Sequence, residues 1–236
     1  MESAFIRSMF DAIAPHYDFL NRLLSLRQDV YWRREMVRAL DLPEKPRLLD
    51  VACGTGDVVV EVLDKRPGGT VYGIDFSAEM IAVAHKKTAA RLPRAPVHLL
   101  TADALALPFA PEAFDAVTIA FGIRNIQNRH AALSQFHDAL KPGGKLAILE
   151  LNTPPAGRLR RLYMLYFRKL LPAVGGLFSG NVRAYRYLPA SVVNFPPPQR
   201  FAGRIRAAGF ANVAWKPLTA GIATLYVGKK GGQDRF

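Results

Sequence analysis

The sequence lacks the features of secreted and membrane-spanning proteins. Its 236 residues include one cysteine, Cys53, which cannot form an internal disulfide and agrees with a reducing compartment. No apolar run approaches the roughly 20 residues that span a bilayer, and the amino terminus carries Glu2 and Asp11 without a long apolar stretch. We therefore expect a cytoplasmic protein. With 50% hydrophobic residues, residues 1–236 suit a single domain with a full core.

Acidic residues are missing from a long part of the chain. No Asp or Glu occurs between Leu151 and Gln233, where arginines and lysines are frequent, and the whole chain carries a formal net charge of +13. This asymmetry predicts a strongly positive face, which suits either nucleic acid or the anionic surface of a membrane. At a membrane, each nearby Lys or Arg contributes about 1 kcal/mol.

A glycine-containing turn predicts a ligand site. Residues 47–52 form a short apolar run, as in a strand buried on both faces, and Gly54 and Gly56 follow in a turn before a helix that begins at Asp57. Glycine permits positive φ and lets a ligand approach the backbone. An acidic residue about 20 positions further can bind ribose hydroxyls, and Asp75 has this position.

The turn favours S-adenosylmethionine over a dinucleotide. A dinucleotide would require a third glycine, near Val59, where a pyrophosphate needs close approach of the helix. S-adenosylmethionine has no phosphate, and its sulfonium and ammonium groups favour carboxylates near the turn, which Asp50 and Asp57 supply. An ordinary tight turn without a ligand is the alternative. We expect no metal site.

Strands and helices alternate after the turn. The further predicted strands are 71–75, 97–101, 114–120, 145–151, 211–216 and 222–227. The predicted helices include 78–90 with Ser77 as N-cap, 130–140, and 199–208, and a turn is predicted at 141–144. Five parallel strands followed by an antiparallel pair predict an α/β fold with a mostly parallel seven-stranded sheet whose last strand is antiparallel.

Two segments lie outside this predicted sheet. Residues 1–45 form a helical lid that contains an amphipathic segment, and residues 153–198 are an insertion after the fifth strand. Residues 46–152 form the cofactor-binding core, and 199–230 hold the last helix and strand pair. Ligands of open α/β sheets bind beyond the carboxyl ends of the strands, so we expect the two segments to cover an acceptor site. Plain core packing is the alternative for the amphipathic segment, 17–40.

Several motifs between Met9 and Lys229 form a more specific pattern. They are Phe10-Asp11 with Tyr17-Asp18 and Asn21; Gly54-Thr55-Gly56-Asp57; Ala106-Leu107-Pro108-Phe109; Phe121-Gly122-Ile123-Arg124-Asn125; Leu140-Lys141-Pro142-Gly143-Gly144; and Leu218-Thr219-Ala220-Gly221. With them the chain resembles the quinone-biosynthesis C-methyltransferases. The resemblance implies a class I S-adenosylmethionine-dependent methyltransferase with a Rossmann-like fold.

The activity implied by the resemblance is C-methylation of demethylmenaquinol to menaquinol, the last step of menaquinone biosynthesis. Methylation of a polyprenyl benzoquinol in ubiquinone biosynthesis is the alternative. Ala120 stands where some relatives that also act on the benzoquinol carry serine, so that contact cannot form here. The resemblance assigns Thr55 to the cofactor turn, Asp75 to the ribose, and Asp103 with the backbone of Ala104 to adenine. A turn cap is the alternative for Asp103.

The implied reaction requires an aromatic carbon made nucleophilic by loss or polarisation of a phenolic proton. We expect Arg124 to stabilise the phenolate and Asn125 to fix the other hydroxyl. The candidate base is His16 first, and Asp18 or Tyr17 second, because the amino-terminal helix is expected to fold over the acceptor. The structural alternatives are a surface turn for His16, and lid packing or capping for the other two.

The remaining expectations concern partners. Residues 158–171 mix basic and aromatic side chains as membrane-surface helices do, which predicts peripheral contact with the inner face of a membrane and a prenylated naphthoquinol as substrate. A buried helix with solvated arginines is the alternative. An RNA methyltransferase would explain the charge, but no Asn-Pro-Pro-Tyr follows the fourth strand and no RNA-binding module is recognisable, so we expect no nucleic acid partner. A non-catalytic binding protein would predict damage to the cofactor turn, which is intact. The sequence leaves a homodimer open.

Overall fold

The computed structural model describes residues 2–167 and 182–232. Its centre is one seven-stranded sheet with the order β3-β2-β1-β4-β5-β7-β6. The strands are β1 Arg47–Val51, β2 Thr70–Asp75, β3 Val97–Thr101, β4 Phe114–Ala120, β5 Leu140–Leu151, β6 Phe210–Leu218 and β7 Ala223–Lys230. Strands β1 to β5 pair in parallel, whereas β7 is antiparallel to both β5 and β6. The predicted α/β sheet is therefore confirmed.

Helices cover the sheet and extend beyond it. They are α1 Glu2–Ile13, α2 Tyr17–Leu24, α3 Gln28–Leu40, α4 Asp57–Lys65, α5 Ala78–Arg91, α6 Arg129–Ala139, α7 Arg158–Leu165, α8 Val182–Val193 and α9 Pro198–Ala207. Short 3-10 turns lie at Ala14–His16, Ile123–Asn125 and Thr219–Gly221. Ser77 caps α5 as predicted, because its side chain accepts a hydrogen bond from the backbone N–H of Met80 at 3.1 Å.

The hydrophobic core has one layer on each face of the sheet. Successive strand side chains point to opposite faces, so Leu49 packs with Phe136 and Phe201, while Leu48 packs on the other side with Met36 and Val62. This two-sided burial accounts for the unbroken apolar run at β1. Because β1 is packed on both faces, its carboxyl end, where the glycine turn begins, is held in place by the core.

Two local predictions need correction. The segment 17–40 is two helices, α2 and α3, because Leu26 and Arg27 adopt positive φ angles of 51° and 62° between them. The turn predicted at 141–144 is a bulge within β5, where pairing with β4 skips from Leu140 to Lys145 and Gly143 has a φ of 80°. Neither change alters the strand order.

A third apolar cluster joins the amino-terminal helices to the segment after β5. Ile6, Met9 and Leu20 pack there with Tyr163 and Phe167. Part of the predicted insertion and of its basic-aromatic run, residues 168–181, lies outside the described residues. In the described part of the chain, no helix is long and apolar enough to cross a membrane.

Candidate active site

The glycine turn after β1 is held by the carboxylate of Asp75. One oxygen of Asp75 accepts a hydrogen bond from the Gly54 N–H and the other accepts from the Ser77 N–H, both at 2.9 Å. Gly54 and Gly56 have φ angles of 54° and 83°, so both use the conformational freedom of glycine. Burial raises the pKa of Asp75, and the bonds from Ser77 and Gly54 oppose that rise. The structure thus places Asp75, the residue predicted to bind the ribose, in contact with the glycine turn.

Asp50, at the end of β1, is a buried carboxylate with one unsatisfied oxygen. Its Oδ1 accepts a hydrogen bond from the Thr118 hydroxyl at 2.7 Å, but Oδ2 has no partner among the described residues. Burial raises the pKa of Asp50 to about 7, although the Thr118 bond and the charge of Arg33 oppose it. An incoming cationic group would satisfy the free oxygen. The residue therefore fits the ammonium or sulfonium of S-adenosylmethionine.

Asp57 is already neutralised by cations of the protein. Its carboxylate pairs with Lys87 and Arg22, each at 2.8 Å, and with Arg33 at 3.3 Å. Burial acts to raise the pKa of Asp57, but the charges of Arg33, Lys87 and Arg22 hold it well below its ordinary range. The predicted contact between Asp57 and the cofactor gains no support from this pairing. Sequence reasoning missed all three cations.

The amino-terminal helix α2 is tied to the glycine turn through Asp18. The Thr55 hydroxyl donates a hydrogen bond to Asp18 Oδ1 at 2.5 Å, and Lys87 forms an ion pair with Asp18. Lys87 also donates to Thr55 Oγ1 at 3.0 Å. Two residues predicted separately, Thr55 for the cofactor and Asp18 for catalysis, are therefore in direct contact.

A cavity of about 890 Å³ adjoins this turn. Tyr17 lines it, and a ring carbon of Tyr17 would lie 3.9 Å from a Cβ placed on Gly54. Its wall is mainly apolar and is formed by the amino-terminal helices, the turn after β4, and α7 and α8. Aromatic residues of the wall include Phe10, Trp32, Phe121, Tyr163, Tyr166 and Phe167. The cavity is large enough for an aromatic ring with an apolar substituent.

Arg124 lines the cavity from the turn after β4. Its Nη1 pairs with Glu150 Oε1 at 2.7 Å, and its backbone N–H donates to Glu150 Oε2 at 3.1 Å. The turn requires Gly122, since an added Cβ would lie 2.7 Å from the Cβ of Ala52. Asn125 accepts a hydrogen bond from the Tyr187 hydroxyl at 3.2 Å and is not among the residues that line the cavity.

The other predicted residues are placed as follows. Tyr17 is partly buried, and burial raises its pKa, opposed by hydrogen bonding with Asn21 and the charge of Arg33. His16 is exposed at the end of a 3-10 turn and does not line the cavity. Asp103 is exposed after β3, where its Oδ1 accepts from the Leu105 N–H at 2.9 Å. That bond is the turn cap considered as its alternative role.

Two further residues are Ala104, the last of the predicted cofactor residues, and Cys53, the single cysteine. Ala104 is partly buried and packs against the core beside the loop after β3. Cys53 is buried, and burial raises its pKa well above the ordinary value, so the thiol stays protonated near neutral pH. Glu150 was missed by sequence reasoning, although an acidic residue near the end of the apolar strand β5 is a signal that could have found it.

The strand order, the glycine turn and the acidic residues at the ends of β1 and β2 define a class I, Rossmann-like methyltransferase fold. An S-adenosylmethionine-dependent methyltransferase of Thermotoga maritima, described as a possible histamine N-methyltransferase, superposes with a TM-score of 0.67 at 18% identity, over 95% of this chain and 99% of that one. At this identity the likeness concerns the fold alone. The chain belongs to the ubiE/COQ5 methyltransferase family, whose model matches residues 1–230.

Two relatives illustrate the family. A demethylmenaquinone methyltransferase of Thermus thermophilus is 48% identical over 223 residues, 94% of this chain and all (100%) of the relative. A ubiquinone/menaquinone biosynthesis C-methyltransferase UbiE of Geotalea daltonii is 45% identical over 226 residues, 95% of this chain and 96% of the relative. The resemblance stated from the motifs is therefore confirmed.

Proposed function

We propose that this protein transfers the methyl group of S-adenosylmethionine to a ring carbon of demethylmenaquinol, giving menaquinol in the last step of menaquinone biosynthesis. The observation that carries the proposal is the apolar cavity of about 890 Å³ beside the glycine turn, with Arg124 in its wall. Membership of the ubiE/COQ5 family and the names of the relatives support it.

The residues around the turn fit the cofactor. When bound, S-adenosylmethionine supplies an electrophilic methyl group. The free oxygen of Asp50 suits its cationic groups, and Gly54 and Gly56 leave the backbone open to it. Asp75 keeps lone pairs for ribose hydroxyls beyond the two backbone bonds it accepts. We assign Thr55 to the shape of the turn and Asp103 with the backbone of Ala104 to adenine.

The acceptor side holds and polarises the quinol. The guanidinium of Arg124 can stabilise a phenolate, while Glu150 fixes the turn that presents it. Asn125 supports this wall through Tyr187. Tyr17 lines the cavity, and its raised pKa makes it a hydrogen-bond donor in the proposed site.

In the proposed site, the phenolic proton reaches a base only indirectly. Asp18 is bound to Thr55 and Lys87, and His16 is exposed outside the cavity lining. We propose that the phenolic proton leaves through water, with Asp18 or His16 as its final acceptor. After methyl transfer, the ring carbon loses its own proton through the same water and the ring oxygen regains one, so that one proton is released overall and S-adenosylhomocysteine leaves. Asp57 has a structural role in this scheme, because protein cations already compensate its charge.

The two segments outside the sheet complete the site and face the membrane. We assign residues 1–45 to a lid and the segment 153–198, of which 168–181 lie outside the described residues, to the acceptor side of the site. Leu26 and Leu162 line the cavity and are 81% and 65% exposed, so the mouth of the cavity presents apolar side chains at the surface. Exposed arginines, Arg158 and Arg161, lie on the same helix as Leu162. This mouth suits a peripheral contact with an anionic bilayer, toward which the prenyl tail would leave.

The test is transfer of labelled methyl from S-adenosylmethionine to chemically reduced demethylmenaquinone, with a benzoquinol precursor and bulk RNA in parallel. We expect label in a ring carbon of the naphthoquinol. Label in the benzoquinol alone would indicate a role in ubiquinone biosynthesis instead. Label in RNA, with both quinols untouched, would refute the proposal and assign the basic face to nucleic acid.

A further inference from the structure

Buried side-chain polar atoms without a hydrogen-bond partner are few in the described residues, and two of them belong to residues that line the acceptor cavity. They are Arg124 Nε and the hydroxyl of Tyr163. Tyr163 lies on α7 and is only 8% exposed, with its ring stacked on Phe167 at 4.7 Å between centroids. A buried hydroxyl without a partner costs free energy, so its persistence in a well-packed wall calls for an explanation.

A second tyrosine on the same helix segment shows that a partner is available when the hydroxyl has a structural role. Tyr166 also lines the cavity, and its hydroxyl donates a hydrogen bond to the Leu24 carbonyl at 2.6 Å. That bond ties the segment to the amino-terminal helices. Tyr163 packs into the same apolar cluster through its ring alone. Its hydroxyl therefore adds nothing to the fold that a phenylalanine would lack.

The protonation state of Tyr163 determines whether its hydroxyl can donate a hydrogen bond. Burial raises the pKa of Tyr163 far above its ordinary value, although the charge of Arg124 opposes the rise. The side chain therefore keeps its O–H proton throughout the physiological range. The Nε–H of Arg124 is also a hydrogen-bond donor. Two residues of the cavity wall thus each carry an unsatisfied donor.

We propose that Tyr163 is an acceptor-binding residue, whose hydroxyl donates a hydrogen bond to a ring oxygen of the hydroquinone. Together with Arg124 it orients the ring and favours the phenolate form, because donors stabilise the oxygen more as its negative charge grows. The stack on Phe167 restricts the orientation of the Tyr163 ring. The inference rests on the proposed function for the identity of the ligand.

The experiment compares Tyr163→Phe with Tyr166→Phe in the full-length protein. Binding of two probes is measured anaerobically by calorimetry: reduced demethylmenaquinone with a two-isoprene tail, and the same prenylated naphthalene without ring hydroxyls. We expect Tyr163→Phe to weaken binding of the hydroquinone about tenfold, the worth of one good hydrogen bond. Binding of the oxygen-free probe should not change, and the melting temperature should be equal or higher.

The control separates this role from packing. Tyr166→Phe removes a satisfied bond, so it should lower the melting temperature while keeping the ratio of the two probe affinities near that of the wild type. The inference is overturned if Tyr163→Phe binds the hydroquinone like the wild type, if both probes weaken equally, or if the wild type does not bind the hydroquinone. Tight binding that depends on Tyr163, without methyl transfer, would refute the proposed function and support the binding role.

Discussion

The carboxylate of Glu150, which is fully buried, holds both the backbone and the guanidinium of Arg124. Its Oε1 accepts from Arg124 Nη1 at 2.7 Å and its Oε2 accepts from the Arg124 N–H at 3.1 Å. The two residues come from the end of β5 and the turn after β4, so a single side chain connects two strand ends at the cavity wall. We therefore expect the geometry of this wall to depend on this buried ion pair.

Replacing Glu150 by glutamine tests the dependence. The variant leaves the buried guanidinium of Arg124 without its counter-charge, and breaking a buried pair typically costs about 3–5 kcal/mol. We expect the free energy of unfolding to fall by that order in chemical denaturation. The control is Asp41→Asn, which removes a surface pair with Lys145 from a side chain that is 88% exposed. An equal loss in both variants would contradict the special position of Glu150.

Cofactor affinity should depend on pH through Asp50. Its folded-state pKa is raised to about 7, so the carboxyl becomes neutral as the pH falls below that value and loses its attraction for a cation. We expect the affinity for S-adenosylmethionine to weaken between about pH 7.5 and 5.5, a range in which the ammonium of the cofactor stays charged. Calorimetric titrations of the wild type and of Asp50→Asn measure this.

The Asp50→Asn variant should bind the cofactor more weakly at pH 7.5 and show a flatter pH profile. The same residue has a stability signature of opposite sign. A raised carboxyl pKa means that the folded state binds more protons than the unfolded state between about pH 4 and 7, so the contribution of Asp50 to stability falls as the pH rises through that window. A pH profile of affinity that is identical in the variant would exclude Asp50 as the cation ligand.

Lys87 should couple the amino-terminal helices to the glycine turn. It bonds Thr55 and pairs with Asp18 and Asp57, so Lys87→Met removes the shared cation of that junction. We expect a higher KM for S-adenosylmethionine and faster limited proteolysis of α1 and α2. The exposed neighbour on the same helix gives the control, Lys86→Met, which should behave as the wild type. Unchanged proteolysis and KM in Lys87→Met would show that the junction has no such role.

Membrane contact should depend on the exposed leucines at the cavity mouth. We expect the wild type to float with vesicles that contain anionic phospholipid, and the double variant Leu26→Glu with Leu162→Glu to remain unbound. Leu100→Glu, an exposed position on the edge strand β3, is the control and should float normally. Flotation of the double variant with the wild-type yield would place the membrane contact elsewhere.

Sequence patterns predicted the parts of this structure that depend on local physics. Buried apolar runs located the central strands, and Gly54, Gly56 and Asp75 located the turn, because each relation spans few residues or follows from strand topology. The break between α2 and α3 was missed, since Leu26 and Arg27 carry none of the glycine or proline signals that mark left-handed or broken backbone.

The ion pairs that neutralise Asp57 could not be predicted from local sequence patterns. Asp57 meets Arg22 and Lys87, which lie 35 and 30 residues away in sequence, only after the helices have packed. A carboxylate beside the turn therefore suggested a cofactor ligand, although protein cations already occupy it. Glu150 and Tyr163 became visible as site residues through burial and hydrogen bonding, which sequence spacing does not reveal.

Methylation of demethylmenaquinol by this protein is tested most directly by the quinone content of a bacterial strain that lacks its own demethylmenaquinone methylation and expresses this chain. Extracted quinones are separated, and they are identified and quantified by mass spectrometry. We expect the wild-type protein to restore menaquinone, and Tyr163→Phe to restore it more slowly than Tyr166→Phe. Accumulation of demethylmenaquinone in the presence of folded, expressed wild-type protein would contradict the proposed function.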